Sequence, residues 1–256
     1  MTIYALSTGP GVSGVAIVRI SGPEASKAIK LLTKKDLPTP RTATLRKINN
    51  INTSELIDEG TVADIKIDCI VLKHPKQQKM KYQDEMDYLV SNEMRNKFIV
   101  NLVRNLKGNT LVLFQYVEKH GVILHDMLDG LVDNLHYVYG GTDTADREEI
   151  RGIVEKAKND VILASYGTFS TGINIKRIDN IVFASPSKSR IRNLQSIGRG
   201  LRKTDGKDSM RLFDIADDLQ CDNYTLEHLK ERINIYSEEN FPFELKQFDL
   251  WQQQKT

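Results

Sequence analysis

The apolar positions change rhythm along the chain. From about residue 108 onward, short and nearly continuous apolar runs alternate with amphipathic stretches. The runs are NTLVLFQ, LHYVYG, VILASYG, DNIVFASP and MRLFDI. Between them lie YVEKHGVILHDMLDGL, DTADREEIRGIVEKAKN and RIRNLQSIGRGLRK. Apolar strands without polar alternation are buried on both faces, and strands alternating with helices predict a parallel sheet covered on both sides. Right-handed crossovers then collect the strand C-termini and their following loops on one edge, where ligand chemistry is expected. The tail, NYTLEHLKERINIYSEENFPFELKQFDL, reads as a helix followed by an edge strand.

The first hundred residues are less regular. IYALS and GVAIVRIS read as strands that pair as a hairpin, and PEASKAIKLLTKK as a short helix before the Pro-punctuated LPTPRTATL. Ser54 is placed to cap another short helix, which Asp58-Glu59-Gly60 would end. IKIDCIVL reads as a strand. YQDEMDYLVSNEMRNKFIVNLVRNL reads as one or two amphipathic helices, with Phe98, Ile99, Leu102, Val103 and Leu106 on one face.

STGPGVSGVAIVRISG, at the start of the chain, spaces Gly9 and Gly14 as a phosphate-binding loop would. That loop needs Lys and then Ser or Thr after its last Gly, to reach phosphates and Mg²⁺. Val15 and Ala16 stand there instead, and a strand-like run follows where a helix should open. The stretch therefore reads as a Gly/Pro turn feeding a strand.

Composition narrows the field. The 256 residues hold one large or two small domains, with 40% apolar and 27% charged residues. The net charge of +2 implies nothing about partners. Cys69 and Cys221 lie far apart, which argues against a disulfide scaffold or a zinc ribbon and fits a reducing, cytoplasmic setting. His120 and His125 read as helix-surface or packing residues, so no metal site is expected. No 18-residue apolar run or secretory leader is evident, so no membrane partner is expected.

Two loops on the predicted ligand edge stand out. ASYGTFSTGINI follows the strand VILAS, and QSIGRGLRK lies within residues 188 to 211, which hold eight Lys/Arg against two acids. Gly198 and Gly200 lower helix propensity inside that basic run and flank Arg199, which suggests close backbone approach to a ligand or another domain. Q-x-x-G-R-x-x-R (Gln195, Gly198, Arg199, Arg202) resembles motif VI of superfamily 2 helicases. S-T-G-I-N-I (Ser170 to Ile175) resembles their motif V, at the right distance upstream. TLVLFQYVEKHGVILHDML resembles motif IV and its helix, and YGGTDTADREEIRGIVEKAKNDVILASYG the segment that leads to motif V. The resemblance covers residues 53 to 250 and is nearest to phage recombination helicases.

It implies an α/β fold: a RecA-like parallel sheet with helices on both faces over 53–256, preceded by a small β-rich segment over 1–52. It also implies the second half of an ATP-dependent DNA helicase or branched-DNA translocase. In such motors two RecA-like domains close on ATP, and arginines of the second stabilise charge on the transferring phosphoryl group. By resemblance Arg202 is the main finger, Arg199 lies beside it and Gln195 orients them. Gly172, Asn174 and Gly198 approach the nucleotide. Ser170 and Thr171 bond nucleic-acid phosphate. Lys188, Arg190 and Arg192 either line the DNA track or form a solvated face, and Gln115 and Tyr116 either touch DNA or pack.

No G-x-x-x-x-G-K-[ST] and no acidic box after a strand occurs in the chain. ATP and Mg²⁺ are therefore expected to be shared with a P-loop-bearing RecA-like domain in cis or trans, with none held tightly here. The expected partners are that domain and single-stranded or branched DNA. TIYAL, STGPGVSGVAIVRISGPEA and LPTPRTATL resemble the N-terminus of the tRNA-modification GTPases of the MnmE/TrmE family, over residues 2 to about 50. That likeness implies a folate-binding or dimerisation fragment of tRNA modification, but Val12 stands where the family's turn carries Arg, and no folate site is carried over. The chain thus reads as a fusion of two families meeting near INNINTSELIDEG. A third reading is a nucleic-acid-binding protein without turnover.

Overall fold

The computed structural model describes residues 3–6, 18–42, 44–46, 63–171, 175, 177–185 and 209–250. The chain divides into two compact units, Met1–Glu55 and Leu56–Thr256.

In the first unit, β1 (Ile3–Leu6) pairs antiparallel with β2 (Val18–Ser21), with Ile3 opposite Ser21 and Leu6 opposite Val18. This is the hairpin expected from the two apolar runs. A helix, α1 (Ala25–Thr33), follows and ends where Lys34 takes a left-handed conformation at φ 50°. None of its residues is buried.

The second unit is a seven-stranded sheet. Its strands are β3 (Asp64–Lys73), β4 (Thr110–Phe114), β5 (Leu135–Val138), β6 (Val161–Ser165), β7 (Asn180–Phe183), β8 (Ser209–Asp218) and β9 (Phe243–Asp249). They lie in the order β5-β6-β4-β7-β8-β3-β9, and every pairing is parallel. Among the described residues the connecting helices are α2 (Tyr82–Ser91), α3 (Glu93–Asn105), α4 (Val122–Leu128), α5 (Thr144–Val154), α6 (Tyr166–Thr171) and α7 (Tyr224–Glu238). All five apolar runs after residue 108 are strands, and the tail is a helix and an edge strand.

Alternate residues of each strand feed two cores. One face, with Leu111, Leu113, Ile162, Ile181 and Leu212, packs against Val154 of α5 and Leu229 and Tyr236 of α7. The other, with Val112, Leu163, Val182 and Ile215, packs against Ile99 and Val103 of α3 and Leu124 and Leu128 of α4. Burial on both faces explains why the runs lack polar alternation. The stretch read as one or two helices is two, divided at Asn92, whose side chain caps α3 by accepting from Arg95 N at 2.9 Å.

Strand order puts a crevice at the C-terminal edge beside β4. From β4 the chain passes over β6 to β5, returns to β6, and then crosses β4 to β7. Such a reversal leaves the strand ends splayed and open to a ligand.

Candidate functional site

At that crevice, β4, β5 and β6 end around an open cleft of about 520 Å³, lined by Gln115, Val117, Gly140, Arg147, Ser165, Gly167 and Thr168. Each lining group is set by a local turn. After β4 the chain makes a π-turn, Val117–Gly121, in which Gly121 N donates to Tyr116 O at 2.9 Å. An added Cβ on Gly121 would stand 2.5 Å from Tyr137 Oη and 2.6 Å from the Phe114 ring, so only glycine lets the turn lie on these rings.

After β5, Tyr139 and Thr142 close a tight turn, Thr142 N donating to Tyr139 O at 3.0 Å. Arg147, in the first turns of α5, reaches back over it. Its Nη2 donates to Tyr139 O at 3.3 Å and Gly140 O at 3.2 Å. Its Nε has no partner among the described residues. After β6, Ser165 Oγ accepts from Thr168 N at 3.3 Å and pairs with Thr168 Oγ1 at 2.8 Å, which caps α6 at the cleft wall. The cleft thus offers a guanidinium, a carboxamide and hydroxyls, set on strand ends and on the first turns of the helices that follow them.

Beside the cleft, a buried polar seam ties α3 and the π-turn to the sheet edge. Asp217 Oδ1, at the end of β8, accepts from Arg95 Nε at 2.9 Å and lies 2.9 Å from His74 Nε2. Arg95 Nη2 donates to Ala184 O at 2.8 Å. One residue on, Ser185 Oγ lies 2.8 Å from His120 Nδ1, and His120 Nε2 lies 3.2 Å from Asn96 Oδ1. Burial would raise the Asp217 carboxyl, but the Arg95 charge and the His74 hydrogen bond outweigh it and hold it low. Burial, with the nearby Arg95 charge, pushes His120 down to about 3, so its imidazole is neutral. The seam fixes the end of β7 just before residues 186–208.

The structure places the sequence-derived candidates unevenly. Gln115 stands exposed on the cleft. Ser170 and Thr171 lie on α6, which leaves the cleft wall. Gly172, Asn174, Lys188, Arg190, Arg192, Gln195, Gly198, Arg199 and Arg202 lie outside the described residues, as do Ser54 and Asp58 to Gly60. His120 is a packing residue, with both ring nitrogens bonded. Arg147 and Thr168 were not among the candidates. The signal the sequence offers for Arg147 is its place in the segment leading to motif V, six residues after the double glycine Gly140-Gly141.

Residues 94–204 match the family model of the helicase conserved C-terminal domain, and residues 2–68 match that of the GTP-binding protein TrmE N-terminus. The ATP-dependent DNA helicase uvsW of Enterobacteria phage T4 is 34% identical over 221 residues, covering 78% of this chain and 44% of the relative. The crystal structure of T4 UvsW superposes with a TM-score of 0.63 at 30% identity, over 74% of this chain and 42% of that one. The tRNA modification GTPase MnmE of Pelagibacter ubique (strain HTCC1062) is 73% identical over 62 residues, 24% of this chain and 14% of the relative. The chain spans less than half of the phage helicase and about a seventh of the GTPase. The parallel sheet of the second unit is therefore the RecA-like fold of helicase C-terminal domains, and the chain joins it to a TrmE-like N-terminus. Among the described residues no helix is long and apolar enough to cross a membrane.

Proposed function

We propose that residues 56–256 work as the second half of an ATP-dependent DNA helicase or branched-DNA translocase, gripping one DNA strand and completing an ATPase site held mainly by another domain. The observation that carries this is the convergence of Gln115, Arg147 and the Ser165–Thr168 turn on one cleft at the switch point of the sheet. Strand ends give fixed donors, which suit a phosphate backbone met without regard to sequence. Thr171 and Ser170 extend this wall in the reading, and Lys188, Arg190 and Arg192 add charge to it.

The seam supports the nucleotide half of the reading. It clamps Ala184 and Ser185, from which the segment with Gln195, Gly198, Arg199 and Arg202 departs. An arginine finger works only if its backbone is held, because the transition state is stabilised by groups already in place. Arg202 is assigned the γ-phosphoryl charge, Arg199 and Gln195 its support, and Gly172 and Asn174 the approach to nucleotide. Among the described residues no three His, Cys, Asp or Glu side chains converge as metal ligands. Mg²⁺ and the triphosphate tail are assigned to a P-loop-bearing RecA-like domain in cis or trans.

The test is a salt titration of the whole chain against fluorescein-labelled oligothymidylate and a forked duplex. Binding that weakens steeply with salt supports the reading, and no binding at 50 mM salt rejects it. When a P-loop domain is supplied, Arg202→Ala should abolish the ATPase, and retained turnover would remove Arg202 from its role.

The 73% identity of the N-terminal stretch to a tRNA modification GTPase favours a second reading for that unit alone, a folate-binding or dimerisation fragment. Saturable binding of a formyl-folate would support its folate half, where none is expected, and a chain that neither binds it nor dimerises would reject the reading.

A further inference from the structure

We propose that Tyr82 and Tyr224, with the lysines of the loop before Tyr82, form a second contact for single-stranded DNA, in which a base stacks on the tyrosine pair and its phosphates lie on the loop. The inference rests on the cleft reading, because the strand it stacks is the one leaving that cleft.

Both tyrosines open helices at the C-terminal edge of the sheet. Tyr82 begins α2, nine residues beyond the end of β3, and Tyr224 begins α7, six residues beyond the end of β8. Their rings meet edge to face, with centroids 5.5 Å apart at 87°, and the His228 ring lies 5.9 Å from Tyr82. Tyr82 is 41% exposed and Tyr224 40%, so both rings present surface to solvent while in contact with each other. Glu85 fixes the backbone that carries Tyr224: its buried carboxylate accepts from Tyr224 N at 2.9 Å and Thr225 N at 2.8 Å. The carboxylate satisfies the free amides of the first turn of α7 and locks it against α2.

The pair is continuous with the cleft. Tyr82, Met86 and Leu89 share one face of α2, and Met86 and Leu89 pack with Tyr116, which directly follows Gln115. A strand lying on Gln115 has only to pass Tyr116 to reach Tyr82.

The approach to Tyr82 is basic. His74 to Lys81 contains Lys76, Lys79 and Lys81 and no acid, and all three lysines are exposed. Lys79 contacts only the exposed Asp222, at 3.6 Å, among the described residues. An aromatic platform beside a run of ammonium groups is how single strands are gripped without sequence preference, because every base has a π face and every linkage a charge. A purely structural role predicts aliphatic side chains on the Met86–Leu89 face and gives no reason for exposed phenol rings or for the basic loop.

The experiment measures affinity of the full chain, by fluorescence anisotropy, for a labelled 12-mer oligothymidylate and for an abasic oligomer of equal length. Tyr82→Leu/Tyr224→Leu, which keeps apolar bulk but removes the rings, is expected to weaken oligothymidylate binding about tenfold and to leave abasic binding unchanged. Tyr82→Trp/Tyr224→Phe is expected to restore it. If the leucine variant binds both oligomers as the unaltered chain does, or if the unaltered chain does not distinguish them, the stacking site is overturned. The cleft reading then stands or falls separately on Arg147→Ala, which should weaken binding of both.

Discussion

Arg95 Nε and Asp217 Oδ1 lie 2.9 Å apart with both side chains at most 1% exposed, and the same guanidinium holds Ala184 O through Nη2. One planar fork thus joins the end of β8 to the end of β7 from a helix before β4. Arg95→Met removes the charge and both hydrogen bonds, leaving a buried carboxylate. The expected cost is about 3–5 kcal/mol, read as a lower urea midpoint for the second unit. Arg95→Lys should recover little, since a point charge cannot reach two acceptors that the fork was built for. Arg95→Met/Asp217→Leu should recover only part of the loss, because it removes the unpaired carboxylate but leaves the buried His74 Nε2 without its partner. Equal midpoints for Arg95→Met and the unaltered chain would show that the pair adds nothing.

The same seam sets an acid response. His120 is pushed from 6.5 to about 3 in the fold, so the unfolded chain binds the extra proton between those values. Its contribution is complete above about pH 6.5 and is lost as pH falls towards 3, by up to about 1.4 kcal/mol per pH unit. Asp217 and Asp68 are held below their ordinary value. For Asp68, burial opposes the shift and the hydrogen bonds to Lys246 and Arg211 outweigh it. Their contributions are present above about pH 4 and vanish below it, so the two kinds of group act in successive windows. Urea midpoints taken from pH 7.5 to 5 should fall, and His120→Asn should flatten that slope at some cost in stability at pH 7.5. An unaltered slope in the variant would clear His120 of the effect.

The strands were legible because burial on both faces leaves continuous apolar runs of strand length rich in Val and Ile, as in VILAS and NIVF. The buried polar seam was not legible. Asp217 and Arg95 are 122 residues apart, and a carboxylate at a strand end looks like any surface acid until the fold closes over it. Gln115 was readable through its place after TLVLF. Arg147 was harder, because its role depends on the Tyr139–Thr142 turn folding back beneath it. Tyr82 and Tyr224 are 142 residues apart in the chain, and nothing local announces that they meet.

Gly121 makes a sharp packing test. Its missing Cβ is what lets the π-turn lie on Tyr137 and Phe114, with nearest atoms at 2.5 and 2.6 Å from where a Cβ would stand. Phe114 is fully buried and stacks on the partly buried Tyr137 at 5.7 Å, so its ring cannot withdraw cheaply. Gly121→Ala should therefore destabilise the second unit by about 1–3 kcal/mol, although alanine has the better helix propensity. A midpoint equal to or above that of the unaltered chain would mean that the turn relaxes freely. Because the turn also carries His120 to Ser185, the variant should lose part of the acid response as well.

Arg147 divides two roles that the cleft allows. Its Nη2 already holds the carbonyls of Tyr139 and Gly140, which makes it a brace for the turn. Its Nε is buried and has no partner among the described residues, so a contact with phosphate would fall to the outer guanidinium nitrogens. If it contacts phosphate directly, Arg147→Ala should weaken oligothymidylate binding and reduce the salt slope by about 0.7, the value for one ion released per phosphate on a single strand. Arg147→Lys should restore the slope, since an ammonium also neutralises a phosphate, while recovering only part of the affinity because the brace is gone. If it only braces the turn, both variants should weaken binding at an unchanged slope. The slope therefore decides between contact and support, and affinity alone does not. Gln115→Ala, which carries no charge, should lower affinity modestly and leave the slope where it was.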